Sequence, residues 1–539
     1  MVMKYLPVLF KKSTQKCGVI LGLSKSSQIL FVRGANSVVK EKPFQDIPGP
    51  KSLPVIGTLW KYIPYIGKYR WDRLHHNGFL KLEEFGPLVR EEVVPGVNVI
   101  WLFDPDDVEH LFRVEGRFPC RRSHLALEKY RLDRPEIYKC GGLLPTNGQE
   151  WWRLRSAFQK DLSRLPSVRS YLPNTNAVLQ EFISHTRDIY VKTDQDCGSS
   201  IDQSPKDFLE SISCLFLELT CLVAFDVRMG SLSSFFNEES LAKKLIQAAL
   251  DSNSCILSTD NGPQLWRFFE TPLYKKLRES QEVMERVAVE FVSLKKEEMK
   301  GKDPSEYKSL LEIYMSTPGL DEKDVVGMAM DMLLAGIDTA TYTAGFCLYH
   351  LAVNEEKQNN LFEEAVKLLP FTSGAENACS LITEEVLAQS HYVKAVLKES
   401  LRLNPVSVGI GRVLPCDTVF SGYMVPKGTV VVTQNQVSCR LEKYFSQPNS
   451  FIPERWIRGS AHYQQPVSPY LLLPFGHGPR TCIARRLAEQ NIQALLLSIV
   501  RNFEIHWLGK PNLDCLSLLI NKPDQPLLFE FIPRKSVLD

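Results

Sequence analysis

The longest apolar stretch of the chain, VVGMAMDMLLAGIDTATYTAGFCLYHLAV, covers residues 325–353 and carries two acids, Asp331 and Asp338. At 1.5 Å per residue, such a helix runs about 44 Å. That length could cross a bilayer. Two acids, threonines and tyrosines in its second half and no flanking aromatic belt fit a span poorly. A helix apolar on all sides within a large chain is more simply a central core helix. Around it, from roughly 105 to 410, the periodicity is mostly helical. Strand-like runs are short. REEVVPGVNVIWLFDP (90–105) predicts a hairpin turning at Pro95-Gly96, while GTVVVT (428–433) and PLLFEFI (526–532) predict strands. No βαβ alternation, internal repeat or low-complexity tract interrupts the pattern. It predicts a mainly α chain with small β-sheets and a long central helix, forming one domain over 41–539. The proline-rich IPGPKSLPVIGTLW (47–60) is its stiff lead-in.

Composition changes the picture at the N-terminus. Residues 1–40 hold seven Lys/Arg, five serines and no acid. That composition predicts a cleaved mitochondrial presequence. Lysines 11, 12, 16 and 25 break any apolar core that a secretory signal needs. The chain's net charge of +2 gives no reason to expect nucleic acid. Its 13 cysteines show neither zinc spacing nor the C-x-x-C-H of covalent haem attachment. Reduced core cysteines are the expectation.

Two stretches carry candidate chemistry. In AGIDTAT (335–341), Gly336 leaves a gap on one helix face, beside Asp338 and Thr339. A buried acid is costly unless paired or functional. The Thr339 hydroxyl can reach the Ala335 carbonyl and loosen the helix. An acid and an alcohol in such a groove can relay protons. The alternative is a core threonine beside a solvent-facing aspartate.

In PFGHGPRTCIARRLAEQ (474–490), Cys482 sits between a Gly/Pro bend and a helix predicted over 483–500. The helix dipole and Arg480 favour thiolate. A buried thiolate can ligate haem iron. Two rivals remain. One is an inert core cysteine, and the other a nucleophile activated by His477, for which no third orienting group is evident.

Five segments in order carry a resemblance. Phe475-x-x-Gly478-x-Arg480-x-Cys482 resembles the haem-binding signature of cytochrome P450. Glu399-Ser400-Leu401-Arg402 is similar to its E-x-x-R helix, FIPERW (451–456) to its P-E-R-F/W segment, AGIDT to its oxygen-activation motif, and Trp151-x-x-x-Arg155 to its haem-propionate helix. The resemblance spans roughly 46–535. It implies the cytochrome P450 fold and a haem b ligated by Cys482. Trp151, Arg155, Arg412 and Arg480 would meet the propionates, with Phe475 in the haem loop. Glu399, Arg402 and Arg455 would form a buried ion-pair cluster. Asp338 and Thr339 would serve catalysis with O2.

Within the family, the presequence and Lys394-x-x-x-Lys398 resemble the mitochondrial branch. There, this face and the arginines after the cysteine, here Arg485 and Arg486, would bind an acidic ferredoxin fed by an NADPH-dependent reductase. The wording CIARRLAEQN is most similar to arthropod ecdysteroid 22-hydroxylases, implying a steroid hydroxylated at side-chain C22. Another position, C2 or C20, is the alternative, as is a haem-thiolate protein that inserts no oxygen. A cysteine hydrolase is a more distant one. Two positions depart from pattern: Ala484 stands where the family usually has glycine, and Trp152 where mitochondrial relatives often carry a base. Finally, GPQLWRFFETPLYKKLR (262–278) mixes aromatics and bases, the composition of an interfacial segment. Peripheral contact with the matrix side of the inner membrane follows.

Overall fold

The computed structural model describes residues 41–191, 206–262, 264–306, 309–370, 381–465 and 468–534. The predicted presequence, 1–40, lies outside them. The elements that position the site run in this order: α1 (Leu74–Phe85), β1 (Leu88–Val94), β2 (Val97–Leu102), α2 (Gly148–Leu162), α3 (Phe208–Phe225), α4 (Leu241–Asn261), α5 (Pro272–Glu298), α6 (Glu322–Ala352), α7 (Tyr392–Leu403), β3 (Gly411–Val413), β4 (Val430–Thr433), α8 (Arg485–Asn502), β5 (Phe503–Trp507), β6 (Cys515–Ser517), β7 (Asn521–Pro523) and β8 (Phe529–Pro533).

The apolar stretch is α6, 31 residues long. It starts three residues before the apolar run, because Asp321 and Asp324 form a capping box. The Asp324 N–H donates to the Asp321 carboxylate at 2.9 Å, and the Asp321 N–H to the Asp324 carboxylate at 3.2 Å. The helix is buried along most of its length and packs against α3, α4, α5, α7 and α8. It is a core helix, as its pattern predicts. Among the described residues one helix, α3, is apolar and long enough for a membrane span, and it is mostly buried, packed against α6.

The predicted hairpin is β1–β2, turned at Gly96 with φ +83°. β2 runs parallel to β4, with Val99 opposite Val430, and β3 closes the sheet antiparallel to β4. The sheet order is β1-β2-β4-β3. Leu88, Ile100, Leu102 and Val431 form a small core of their own on it. The lead-in is pinned to this sheet: the Arg90 N–H donates to the Pro48 carbonyl at 2.9 Å. A Cβ on Gly49 would lie 1.8 Å from the Arg90 carbonyl oxygen, so only glycine fits that approach. Near the C-terminus, β5 pairs with β8, and β6–β7 is a short hairpin.

Candidate active site

The Cys482 loop is shaped by two glycines in the left-handed region, Gly476 (φ +76°) and Gly478 (φ +68°). A Cβ on Gly478 would also meet the Glu115 carboxylate at 2.3 Å. The Phe475 carbonyl closes the loop, accepting from the Cys482 N–H at 2.7 Å and the Thr481 hydroxyl at 3.2 Å. α8 starts at Arg485, two residues later than the pattern predicts, with Ala484 at its N-cap. Ala484 has φ −96°, which alanine adopts without strain, so glycine is not required there.

The Cys482 thiol has accessible surface, yet protein atoms crowd it. Burial therefore pushes its pKa up, while the Ala484 N–H, Arg155 and Arg485 pull it down. Arg480, the expected source of that charge, is occupied elsewhere. It donates to the Pro119 carbonyl (2.7 Å), the Thr146 carbonyl (2.7 Å) and the Asn147 side chain (2.7 Å), and lies 4.1 Å over the Trp151 ring.

Arg480 belongs to a cluster of four guanidiniums that repel one another. Burial, then Arg121, Arg412 and Arg155 lower the Arg480 pKa to about 9. Arg121 falls to about 10 through burial, Arg412 and Arg155. Arg155 donates to Gln159 at 2.7 Å. Arg412 spends its donors on Glu115 (2.5 Å), the Gly411 carbonyl (2.9 Å) and the His477 carbonyl (3.3 Å). The Nη1 of Arg480 is buried with no hydrogen-bond partner among the described residues. A cationic set with an unmet donor is complementary to a dianion. Sequence reasoning missed Arg121 and Glu115, because nothing around FPCRRSHL or RVEGRF signals them; long-range packing alone makes them part of the cluster.

The structure brings Glu399, Arg402 and Arg455 together with all three side chains buried. Glu399 accepts from Arg402 at 2.9 and 2.8 Å and from Arg455 at 2.9 Å, and also from the Trp456 indole and the Ile452 N–H. Arg402 reaches the Cys439, Pro448 and Ser450 carbonyls, and Arg455 those of Ser446 and Gln447. The cluster thereby fixes the irregular segment 439–455 that leads towards the Cys482 loop.

Asp338 is buried, at 1% exposure, so the solvent-facing alternative does not hold. Burial raises its pKa to about 6, against the Asn253 amide, which donates to it at 2.8 Å, and the charge of Lys522. Asn253 also donates to the Leu334 carbonyl at 3.2 Å. The Thr339 hydroxyl donates to the Ala335 carbonyl at 2.6 Å, as the spacing predicts. Met332, Ala335, Gly336 and Thr339 are partly open where the rest of that helix stretch is buried. Their spacing puts them in one stripe. Sequence gave no sign of Asn253, which comes from α4.

Lys398, Arg485 and Arg486 are exposed and Lys394 is half-buried. The Lys398 ammonium sits 4.1 Å over the Trp456 ring, and its pKa is lowered by burial and then by Arg485. Lys394 donates to the Ala388 carbonyl at 2.9 Å and senses Arg169. Arg485 pairs with Glu489 at 2.9 Å. Trp152, the other departure, packs edge-on to Phe118 with Arg117 over its ring.

The segment 262–278 divides differently from its expected amphipathic reading. Trp266 is buried, donating to the Thr259 carbonyl at 2.9 Å, while Leu265, Phe268, Phe269 and Leu273 are exposed.

Comparison with known proteins agrees with this architecture. A cytochrome P450 family model matches residues 47–529. The chain is 47% identical to cytochrome P450 302a1, mitochondrial, of Drosophila melanogaster over 496 residues, 92% of this chain and 96% of that protein. It is 31% identical to probable cytochrome P450 12a5, mitochondrial, of the same species over 97% of this chain and 96% of that protein. Probable cytochrome P450 301a1, mitochondrial, also of D. melanogaster, is 30% identical, with 90% and 87% covered. The chain belongs to the cytochrome P450 family. It is a monooxygenase that uses O2 and a cysteine-ligated haem b. The guanidinium cluster with its unmet Arg480 donor fits the two haem propionates, and the exposed Cys482 beside Arg155 fits a sulfur ligand to haem.

Proposed function

We propose that this chain is a mitochondrial, ferredoxin-dependent steroid monooxygenase that hydroxylates the C22 side-chain position of an ecdysteroid precursor. The observation that carries it is the open stripe of α6, where a buried acid and an alcohol adjoin the one gap between Asp324 and Leu351, a stretch otherwise buried. A haem protein that inserts no oxygen has no use for that pair. The steroid and its position rest on the CIARRLAEQN wording and on likeness to the Drosophila 302a1 protein. That relative's name, and the acid-free residues 1–40 as a cleaved presequence before a single domain, support the mitochondrial assignment.

In this reading Cys482 would hold the haem through its sulfur. Trp151, Arg155, Arg480 and the unforeseen Arg121 would hold the propionates, with Arg412 held in place by Glu115 at the edge of that cluster. When bound, haem supplies O2 activation and C–H hydroxylation. The chain's own residues keep that chemistry ordered. Phe475 accepts from the Cys482 N–H and fixes the thiolate. The Glu399–Arg402–Arg455 cluster fixes the segment before it. Asp338, held by Asn253 on the buried side, holds a proton, and Thr339 passes it at its hydroxyl to the open stripe of α6. Lys394, Lys398, Arg485 and Arg486 form the ferredoxin face, where positive charge steers an acidic partner. Exposed Leu265, Phe268, Phe269 and Leu273 make peripheral contact with the matrix side of the inner membrane.

The test is incubation with ferredoxin, its reductase and a panel of ecdysteroid precursors, reading product by mass spectrometry. Product hydroxylated at C22 supports the proposal. Product at C2 or C20 reassigns the position, and electron consumption without steroid product overturns the substrate class.

A further inference from the structure

Far from the Cys482 loop in sequence, the first turn of α1 places two adjacent histidines against the base of the β6–β7 hairpin. The Nε2 atoms of His75 and His76 lie 3.0 and 3.1 Å from the two carboxylate oxygens of Asp514. All three ligand atoms fall within 4.8 Å of one another. A tetrahedral zinc with ligands near 2.0–2.1 Å needs them about 3.3 Å apart, so little movement would be required.

The surroundings are arranged as supports of such a site would be. Asp514 is aimed by the Cys515 N–H at 2.7 Å and by Arg73 at 2.9 Å, and Arg73 is itself tied to Asp524 at 2.9 Å. The second ring nitrogen of His75 faces the buried Cys515 sulfur at 3.7 Å, which can accept a hydrogen bond from its N–H and leave Nε2 free to ligate. His75 is buried and His76 is half open, with side-chain exposures of 7% and 51%, so the pair has both a fixed wall and an entry path.

We propose that His75, His76 and Asp514 form a binding site for a first-row divalent cation, zinc above all, that clamps α1 to the β6–β7 hairpin. Two imidazoles and one carboxylate, with a fourth position open to water, are a zinc donor set. The clamp bears on the active site, because the hairpin does. β7 packs against α6, and the charge of Lys522 acts on Asp338. Asn521 ties the same strand to the Pro405 carbonyl at 2.8 Å. A cation at the base of the hairpin therefore stiffens one wall beside α6.

The test titrates zinc into the haem-loaded enzyme against a chromogenic chelator, in a Cys120→Ser, Cys416→Ser background that removes two exposed thiols. One equivalent should bind at micromolar zinc. His76→Gln and Asp514→Asn should each weaken it about a hundredfold. Zinc should raise the melting temperature of the parent and not of His76→Gln, which keeps the parent's Soret spectrum and metal-free turnover. Zinc binding unchanged in His76→Gln, or no equivalent bound below millimolar zinc, overturns the proposal.

Discussion

The side-chain amide of Asn253 donates to the Asp338 carboxylate at 2.8 Å, so the buried acid of the central helix is met by a neutral group and not by a cation. That pairing sets a sign. Asp338 titrates at about 6 in the folded chain, above its ordinary 3.8. Its cost to stability is absent below the lower value, grows as pH rises through the window between them, and is complete above the upper one. Asp338→Asn should therefore be more stable than the parent at pH 7.5, by about 1–3 kcal/mol, with the gain vanishing towards pH 4. Urea denaturation across that range measures it, and a gain independent of pH contradicts the assignment.

The same variant should lose turnover, about a hundredfold, through loss of the proton donor. Thr339→Ala should keep its haem spectrum while diverting electrons from product. The ratio of product formed to NADPH consumed reads this, and a ratio equal to the parent's removes Thr339 from the relay.

Glu399 accepts five hydrogen bonds with no exposure of its side chain. Glu399→Gln leaves two arginines buried beside a neutral amide and should cost about 3–5 kcal/mol. Denaturation of the haem-loaded protein would show the loss. A change under about 1 kcal/mol would mean the cluster is not the lock of the segment before Cys482.

Much of this was legible because the informative residues are close in sequence. Glu399 and Arg402 are three apart on one helix face, and Thr339 sits four after Ala335, so local geometry alone brings each pair together. The bend before Cys482 declares itself through Gly476 and Gly478. What stayed hidden arrives across the fold: Asn253 comes from 85 residues away, Glu115 from 297 residues before Arg412, and Arg121 lies in an irregular stretch with no spacing of its own. Trp266 misled because aromatic-plus-base composition does not say which face a short 3₁₀ turn buries. The late start of α8 reflects Ala484 serving as N-cap, with its N–H turned to the Cys482 sulfur.

Arg121 and Arg480 repel each other when no anion answers them. Arg121→Gln should therefore stabilise the haem-free protein while speeding haem loss from the loaded enzyme about tenfold. Haem transfer to an excess of apomyoglobin reads the second effect, and thermal unfolding of the stripped protein reads the first. Opposite signs in the two assays are the expectation. Matching signs would mean that Arg121 packs structurally and does not serve a propionate.

The charge of Arg485 acts on Lys398 on an exposed face. Replacing both with glutamine should raise the KM for ferredoxin about tenfold at low salt and leave kcat at saturating ferredoxin intact. The two proteins should converge at high salt. A salt-independent difference would place the docking face elsewhere.

Ligation of the haem iron by Cys482 underlies every role given to the other residues. Its most direct test is the absorption of the reduced, CO-treated protein. The parent should show the red-shifted Soret band of a thiolate ligand, absent in Cys482→Ala and in Cys482→His, while substitution of Cys439 or Cys515 preserves it. A thiolate-type band that survives Cys482→Ala contradicts it.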